Sequence, residues 1–501
     1  MASSATLTPA SLDAPKPPLD TGIRIRLSIM MFLQFAVWGS YFTVWNVYLG
    51  TLGFNGTQIG NLYGTMALGA IISMMVAGQL ADRVLASEYL MAIFHLAGAV
   101  LLYLMATLHS YDQIWWVSLA FALTYNPTLA ISNSLAFHNI PDATRDFPTL
   151  RVLGTLGWIA VGFSVDAVLG KGAAATNKPL LMGAVLSAVL GVFSFFLPHT
   201  PPSGKKSAAL PFLKAIGLLK DPSFGVFFGI SFAITIALAF YYGFTGTYLT
   251  DLGAGSQPIS VGLEIAVVVM LILPLLRVFG VFSEGVFAGA FGIVFAITIY
   301  LAFHAGKPGA ATVQTFGQMS EIFFMVFLPF ALMRFGMKGV LCVGMAAWAV
   351  RYGLFSIGFP SAATSGAYFA LILIGVALHG VCFDFFLAAG FIHTDNKAPA
   401  EIRGSAQALF SFLTYGVGMY IGNVLSGVVV DHYKANNVVN WHKVWAWPAI
   451  GAAACLILFV LLWRDRKGKV EAVEPRGFPV DPIAETAASP ADPNKVSQTA
   501  P

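Results

Sequence analysis

Three charged residues lie within, or at the end of, stretches that are otherwise apolar: Arg151, Glu321 and Asp384. A charge at the centre of a bilayer costs about 2.5–3.5 kcal/mol on insertion scales. Such residues persist where they face a water-filled cavity or one another. The pattern therefore predicts a pathway for a solute or a proton through a membrane. The alternative is a buried ion pair that only orders the helices.

Arg151 shares one face of a predicted helix with two further side chains. The stretch 146–158 reads DFPTLRVLGTLGW, and it places Arg151, Thr155 and Trp158 at positions i, i+4 and i+7. A guanidinium that donates in a fixed fork, a hydroxyl and an aromatic plane suit a polyhydroxylated solute that contains a ring. The other interpretation is that Arg151 ends its helix at the cytoplasmic headgroups.

Two later stretches carry the acidic residues. Gln318 and Glu321 are three apart and share a helical face, where the amide could donate and accept and the carboxylate could bind hydroxyls or carry a proton. His379 and Phe383 are four apart with Asp384 beside them, and a histidine near a carboxylate suits a proton relay. The alternatives are a permanently ionised Glu321 in an ion pair, and a His379 that only packs.

Transmembrane helices must position these residues. Of the 501 residues, 57% are hydrophobic and only 10% are charged, whereas soluble domains carry about 25% charged residues. Apolar runs recur from Ile25 to Trp463, each long enough to cross a membrane as a helix. We therefore expect an all-α polytopic membrane protein. The small net charge of +4 reflects membrane topology, and no nucleic-acid partner is predicted.

The apolar segments form two sets of six around a polar, basic connection. We expect the first set at 25–198 and the second at 223–463, joined by a cytoplasmic loop at 199–222. Transporters are commonly built from such repeats, with the site near the midplane between them. The polar ends, 1–24 and 464–501, are predicted to be cytoplasmic tails, the second of them disordered.

An extra apolar pair interrupts the second set. It covers 263–281 and 286–304, with a turn at Ser283 and Glu284, and we treat 263–304 as an inserted hairpin. Basic residues mark one side of the predicted helices, which places both termini in the cytoplasm. A hairpin that leaves and returns to the outer face keeps that orientation, so we expect about 14 transmembrane helices. The alternative is a re-entrant or interfacial pair.

Several functional classes are disfavoured by what the sequence lacks. It contains no Walker A, HExxH or GxSxG motif, and no polar segment is long enough for a nucleotide-binding domain. We therefore expect no enzyme, and transport that is driven by an ion gradient or is passive. Cys342, Cys382 and Cys455 lie in apolar stretches and are interpreted as small core residues. No metal site and no cofactor are predicted.

At these motifs the chain resembles the nucleoside:proton symporters of the major facilitator superfamily. The resemblance covers about 25–465, apart from the inserted hairpin. The DFPxxRxxGTxG block together with the FDFF block is specific. The matching stretches are FLQFxxWGS at 32–40, PTL at 127–129, the DFPxxRxxGTxG block at 146–157, Gln318-x-x-Glu321, FDFF at 383–386 and IRxSAQ at 402–407.

This resemblance implies a major-facilitator fold of two six-helix halves, here with the inserted hairpin, in the inner membrane. It also implies alternating access and a nucleoside bound centrally, with uptake driven by inward proton flow. The residues expected to bind the solute are Arg151, Thr155, Trp158, Tyr242, Gln318, Glu321, His379 and Phe383. Those expected to couple the proton are Arg151, Glu321 and Asp384. We expect a monomer.

The chain departs from the family pattern at several solute contacts. The family's seventh helix carries a glutamine and an asparagine, where this chain has the stretch 239–242, AFYY. A family tyrosine appears as His379, and the stacking phenylalanine appears as Trp158. The alternative function is therefore a proton symporter of another sugar-containing solute on the same scaffold. A membrane-embedded enzyme and a passive channel fit the sequence less well.

Overall fold

The computed structural model is helical almost throughout. The predicted cytoplasmic tails, 1–24 and 464–501, lie largely outside the residues that the structure describes, so they stay predictions. Within that part, a small antiparallel ribbon is formed by Lys434–Ala435 and Val438–Val439. The structure describes residues 17–83, 85–202, 211–256, 259–304, 307–359 and 366–464.

Seven helices form the first set. Asp20 begins the first of them, because its carboxylate accepts from Ile23 N at 2.9 Å and so satisfies an N–H that the helix leaves free. The set ends before the connection that contains the 3₁₀ helix Pro211–Lys220. Its helices are α1 (Thr21–Gly39), α2 (Trp45–Thr51), α3 (Gly56–Arg83), α4 (Ser87–Thr107), α5 (Tyr111–Asn139), α6 (Ala143–Ala167) and α7 (Lys178–Phe193).

The second set begins in the same way. Asp221 caps α8, accepting from Ser223 N at 2.8 Å and Phe224 N at 3.2 Å. Eleven helices of the described part are long and apolar enough to cross a membrane. The second set comprises α8 (Pro222–Asp251), α9 (Val261–Val278), α10 (Glu284–His304), α11 (Ala310–Gly358), α12 (Gly366–Ala377), α13 (His379–Cys382), α14 (Ala389–Lys397), α15 (Arg403–Ser411), α16 (Met419–His432) and α17 (Trp441–Leu462).

The first apolar run, which begins at Ile25, is broken in the structure. Helix α1 ends at Gly39 and α2 begins at Trp45. A break frees backbone groups that water cannot reach at membrane depth, and it is tolerated where protein groups replace the water. Here Gln314 Nε2 donates to the carbonyl of Thr43 at 2.9 Å. A side chain from α11 therefore stabilises the break.

The long helix α11 comprises two helical parts. Gly336 has φ +64° and ψ 173° inside it, a conformation that glycine adopts without the cost it carries for other residues. Below, the first part is 310–335 and the second part is 337–358.

Two helices of the second set contain π-helical segments. One is Phe383–Ala388, between α13 and α14, and the other is Phe412–Gly418, between α15 and α16. Such segments widen a helix locally and are frequent at functional sites. The first contains Asp384, one of the three charges that define the sequence pattern.

The inserted hairpin consists of α9 and α10, which pack against each other. Helix α9 also contacts α6 of the first set, whereas α10 contacts α11 and α12 of the second. The hairpin exposes apolar side chains, among them Ile265 and Ile272 on α9 and Ile293 and Tyr300 on α10. An exposed apolar surface of this kind suits contact with lipid.

Two matching contacts join the sets of helices. At the end of α6, the Asp166 carboxylate accepts from Thr312 N and Thr312 Oγ1, both at 2.8 Å. At the end of α16, the Asp431 carboxylate accepts from Thr57 N at 2.8 Å and Thr57 Oγ1 at 2.6 Å. Each aspartate thereby binds the first turn of a helix from the other set, where N–H groups are free and negative charge is stabilised.

Both contacts lie toward one face of the protein. Gln314, which follows Thr312 on α11, reaches Thr43 just before α2, and α2 leads into the start of α3. Close approach is possible because Gly309 and Gly56 lack side chains. A Cβ on Gly309 would collide with the Asp166 carboxylate, and one on Gly56 would lie 2.9 Å from Asp431 Oδ1. We call the pairs Asp166–Thr312 and Asp431–Thr57 the two Asp–Thr contacts.

Because α9 and α10 are each long enough to span the membrane, the turn between them should face the same side as the N-terminus. With the three native cysteines replaced by serine, a Ser283→Cys variant should react with an impermeant thiol reagent only from that side. Lys171→Cys, exposed between α6 and α7, is the control and should react only from the opposite side. Labelling of both from the same side would contradict a hairpin that crosses twice.

Candidate functional site

The first group of predicted site residues, which consists of Arg151, Thr155 and Trp158, lies along α6. This helix begins at Ala143, which places Arg151 eight residues, or about 12 Å, inside it. The interpretation that Arg151 ends the helix was therefore wrong. Its guanidinium carbon lies 4.1 Å from the centroid of the Phe35 ring. Thr155 is half-buried on the same face, and Trp158 is buried one turn further.

The second group comes together where α11 packs on α13. Gly380 N donates to Ser320 Oγ at 2.8 Å, which holds the two helices close. Glu321 Oε1 then lies 2.8 Å from His379 Nε2, with the histidine fully buried and the glutamate side chain 19% exposed. Gln318 is buried, and its Oε1 has no hydrogen-bond partner among the described residues.

Aromatic rings connect the two groups in a continuous series that we call the aromatic row. Ring centroids 4.5–7 Å apart, roughly the range seen here, are typical of favourable aromatic pairs. Four residues predicted to bind solute therefore belong to one series of neighbouring rings that runs from the first set of helices to the second. The row runs Trp158–Trp38 (5.1 Å), Trp38–Phe42 (5.3 Å), Phe42–Tyr242 (5.7 Å), Tyr242–His379 (6.4 Å) and His379–Phe383 (5.8 Å).

Asp384 follows Phe383 in the π-helical segment and is fully buried. Neither carboxylate oxygen has a hydrogen-bond partner in the described part of the chain. An ionised carboxylate without partners is very costly in an apolar interior, whereas its neutral form is not. The surroundings of Asp384 therefore suit a group that binds a proton.

Arg351 was not among the site residues predicted from the sequence, although it lies beside them. It belongs to the second part of α11 and has no exposed surface. Arg351 Nη1 lies 2.6 Å from His379 Nδ1, and its guanidinium carbon lies 3.7 Å from the centroid of the Tyr241 ring. The signal was available, because Arg351 interrupts an apolar run in the same way as Arg151.

Gln34, within the matching stretch 32–40, has a structural role in the first set. Its Nε2 donates to Thr128 Oγ1 at 2.7 Å, and its Oε1 lies 2.8 Å from His95 Nε2. Both ends of the amide are therefore held by α4 and α5. The match to the family at Gln34 is therefore explained by helix packing.

Two surface cavities lie elsewhere. One, of about 190 Å³, is lined by Asp166, Lys171 and Glu264 among others, where α6 meets α9. The other, of about 490 Å³, is lined by Ile357, Phe359, Asn440 and His442. No residue predicted to bind solute lines either cavity, so the aromatic row remains the candidate site.

Helices that can cross a membrane, charged groups buried among them and an aromatic row between two sets define a polytopic membrane transporter of the major-facilitator type. A family model described as nucleoside H⁺ symporter matches residues 21–468. The chain therefore belongs to that family, which consists of transporters and not of enzymes.

Individual relatives agree with this assignment. The protein YegT of Escherichia coli strain K12 is 35% identical over 464 residues, covering 90% of this chain and 96% of its own. Xanthosine permease of the same strain is 29% identical over 432 residues, covering 84% and 91%. A crystal structure of the nucleoside transporter NupG superposes with a TM-score of 0.71 at 27% identity, covering 88% of this chain and 99% of that one.

Because His379 and Tyr242 lie in the aromatic row, they should influence which solute binds. In a variant with His379→Tyr and Tyr242→Asn, we expect the order in which unlabelled nucleosides and other glycosides compete for uptake to change, with at least about a tenfold change for one competitor. A site that hydrogen-bonds its ligand discriminates strongly, because its own polar groups are left unpaired by the wrong ligand.

The control for this variant is Tyr248→Phe. It removes a hydroxyl from the same helix, α8, where Tyr248 donates to the Phe355 carbonyl at 2.7 Å outside the aromatic row. Its competition order should equal that of the wild type. An unchanged order in the double variant would mean that these two residues do not set specificity.

Proposed function

We propose that this protein takes up nucleosides together with protons across the cytoplasmic membrane, by alternating access. The observation that carries the proposal is the pairing of a partly exposed Glu321 with the buried, unpartnered Asp384 at one end of the aromatic row. A nucleoside offers a ring that stacks and hydroxyls that donate and accept. The row and the polar groups beside it match both properties.

In this proposal the solute lies along the aromatic row. Arg151 and Thr155 bind sugar hydroxyls, and the ring of Trp158 packs against the base. Buried polar atoms without a protein partner are expected to bind a ligand or water. Gln318 Oε1 is such an atom in the described part of the chain, as is Trp38 Nε1.

Proton coupling is assigned to Arg151, Glu321 and Asp384. A proton drives transport when its binding favours one conformation over the other. Arg151 belongs to one set of helices, and both carboxyls belong to the other. Movement of the sets relative to each other therefore changes the positive charge near the carboxyls, and with it their affinity for the proton.

A second candidate is a proton symporter of another sugar-containing solute. The observation in its favour is His379, which lies between Arg351 and Glu321 where the family resemblance leads us to expect a tyrosine. Such a change at a solute contact alters recognition of the base more than recognition of the sugar.

For the topology we propose 14 spans in two halves of six, with α9 and α10 as an inserted pair. The eleven candidate spans become fourteen when α11 is counted as two and both α1–α2 and α3 are added. Basic residues at the helix ends favour cytoplasmic termini. The protein is proposed to act as a monomer.

With this topology the two Asp–Thr contacts lie at the outer face and form a closed outer gate. Two further hydrogen bonds join the halves there, from Gln314 to Thr43 and from Asn46 Nδ2 to the Gly243 carbonyl at 2.9 Å. Alternating access then requires both Asp–Thr contacts to break before solute can enter from outside.

The coupling role of Glu321 is tested by Glu321→Gln, which keeps the shape of the side chain but cannot ionise. Accumulation of labelled uridine against its gradient should be abolished, while exchange of internal for external uridine continues, because exchange needs no net proton movement. Glu264→Gln, at the start of α9 and away from the aromatic row, should accumulate normally. Normal accumulation by Glu321→Gln would refute the assigned role.

The gate is tested by Asp166→Asn combined with Asp431→Asn. A charged hydrogen-bonding group contributes about 1.5–3 kcal/mol, so removing both charges should raise the outward-open population at least tenfold. Spin labels at Lys171 and Lys434, which are exposed near the outer ends of the two halves, should then report a larger share of long distances by pulsed electron resonance.

Asp221→Asn serves as the control, because Asp221 caps a helix of its own half. It should leave the distance distribution unchanged. If the double variant has the same distribution as the wild type, the Asp–Thr contacts do not hold the gate.

A further inference from the structure

Arg351 has a cationic side chain that no anion touches directly in the described part of the chain. Its guanidinium lies over Tyr241, with the rings of Trp348 and Phe355 each 5.7 Å from its central carbon. Its Nε and Nη2 have no hydrogen-bond partner among the described residues. The contact between Nη1 and His379 Nδ1, at 2.6 Å, is therefore its principal polar interaction.

This contact fixes the tautomer of His379. A guanidinium has only donors, so Nδ1 must be the acceptor and carries no proton. The ring proton is then on Nε2, which lies 2.8 Å from Glu321 Oε1 but has no hydrogen-bond partner of good geometry among the described residues. His379 is thus held as a neutral imidazole with Nε2 beside the carboxylate.

The three groups form a line from positive through neutral to negative. Arg351 donates to Nδ1 of the imidazole, and Nε2 of the imidazole lies beside Glu321. A second proton on the ring would set two donors against each other at Nδ1 and leave the guanidinium without its acceptor. His379 therefore transmits the influence of Arg351 to Glu321, and it is not the carrier of the transported proton.

Asp384 differs from Glu321 in these surroundings. It is fully buried, and neither of its oxygens has a partner in the part of the chain described. Two carboxyls with different environments take different protonation states at one pH. We propose that Arg351 is a positioning residue that, through His379, makes Glu321 bind its proton at a lower pH than Asp384, so that the two coupling carboxyls act in sequence. This inference rests on the proposed proton-coupled uptake.

Other titratable groups face the same place and could contribute to the pH dependence. Tyr241 comes from α8 and stacks on His379 at 5.2 Å between centroids. Cys382 is buried at the end of α13. From the first set, Arg151 lies on α6, which packs against α11. The experiment therefore changes Arg351 and leaves these residues intact.

The test compares Arg351→Gln and Arg351→Lys with the wild type, using uptake of labelled uridine as a function of external pH. In Arg351→Gln we expect the midpoint of the pH profile to move upward by about one unit, because a positive charge near the carboxyls is lost. Arg351→Lys keeps the positive charge but lacks the planar donor group of the guanidinium, and it should move the midpoint of the pH profile by less than Arg351→Gln does. Uridine exchange should remain measurable in both variants, which shows that the protein is folded and that its pH profile can be compared with the wild type.

The control is Tyr352→Phe, which disturbs the next residue of α11 by removing a hydroxyl that donates to the Ala237 carbonyl at 2.7 Å. Its pH profile should match the wild type. If wild-type uptake is insensitive to a protonophore, the proposed function itself fails. If wild-type uptake is proton-driven and Arg351→Gln has an identical pH profile, only the role of Arg351 is overturned.

The tautomer can be measured on the wild-type protein, with a variant used only to assign the signals. In protein labelled with nitrogen-15 histidine, the signals of His379 are identified as those lost in His379→Gln. At neutral pH we expect one protonated and one bare ring nitrogen, with the proton on Nε2. A doubly protonated ring, or a proton on Nδ1, would overturn the inference.

Discussion

The cost of leaving a polar group unpaired in an apolar interior governs this structure. The carbonyl freed by the break after α1 is bound by Gln314, and the first turns of α3 and α11 are bound by Asp431 and Asp166. In each case the partner comes from the other set of helices. The same interactions that satisfy the backbone therefore also join the two halves. The two sets can therefore separate only where water enters and replaces these partners.

Sequence periodicity and charge predicted much of this arrangement. Apolar runs indicated the helices, and spacing indicated that Arg151 and Trp158 share a face. The break after α1 was not predicted, because its cause is Gln314, which is distant in the sequence. The aromatic row was not predicted as a row for the same reason: Trp38, Tyr242 and His379 come from three separate helices. The spacing of residues in the sequence predicts which face of its own helix a residue occupies. It does not predict which other helix packs against that face.

Arg351 illustrates a different limit. Its burial could have been expected from the apolar run around it, yet its effect depends on which nitrogen of His379 it contacts. That choice fixes a tautomer, and a tautomer has no signature in the sequence. The family scaffold is thus compatible with more than one arrangement of charged and neutral side chains around the FDFF block. Members of the family that share the FDFF block can differ in how the neighbouring groups prepare it for a proton.

The inserted hairpin has a mechanical consequence. It touches α6 of one half through α9, and α11 and α12 of the other through α10. Helix α9 has 18 residues, which gives a length of about 27 Å, slightly less than the roughly 30 Å of hydrocarbon in a typical bilayer. In the proposed alternating-access cycle the two sets of helices move relative to each other, so a hairpin in contact with both must tilt, and the surrounding lipid must thin or thicken to match it. The free energy of the conformational change then depends on the thickness of the membrane.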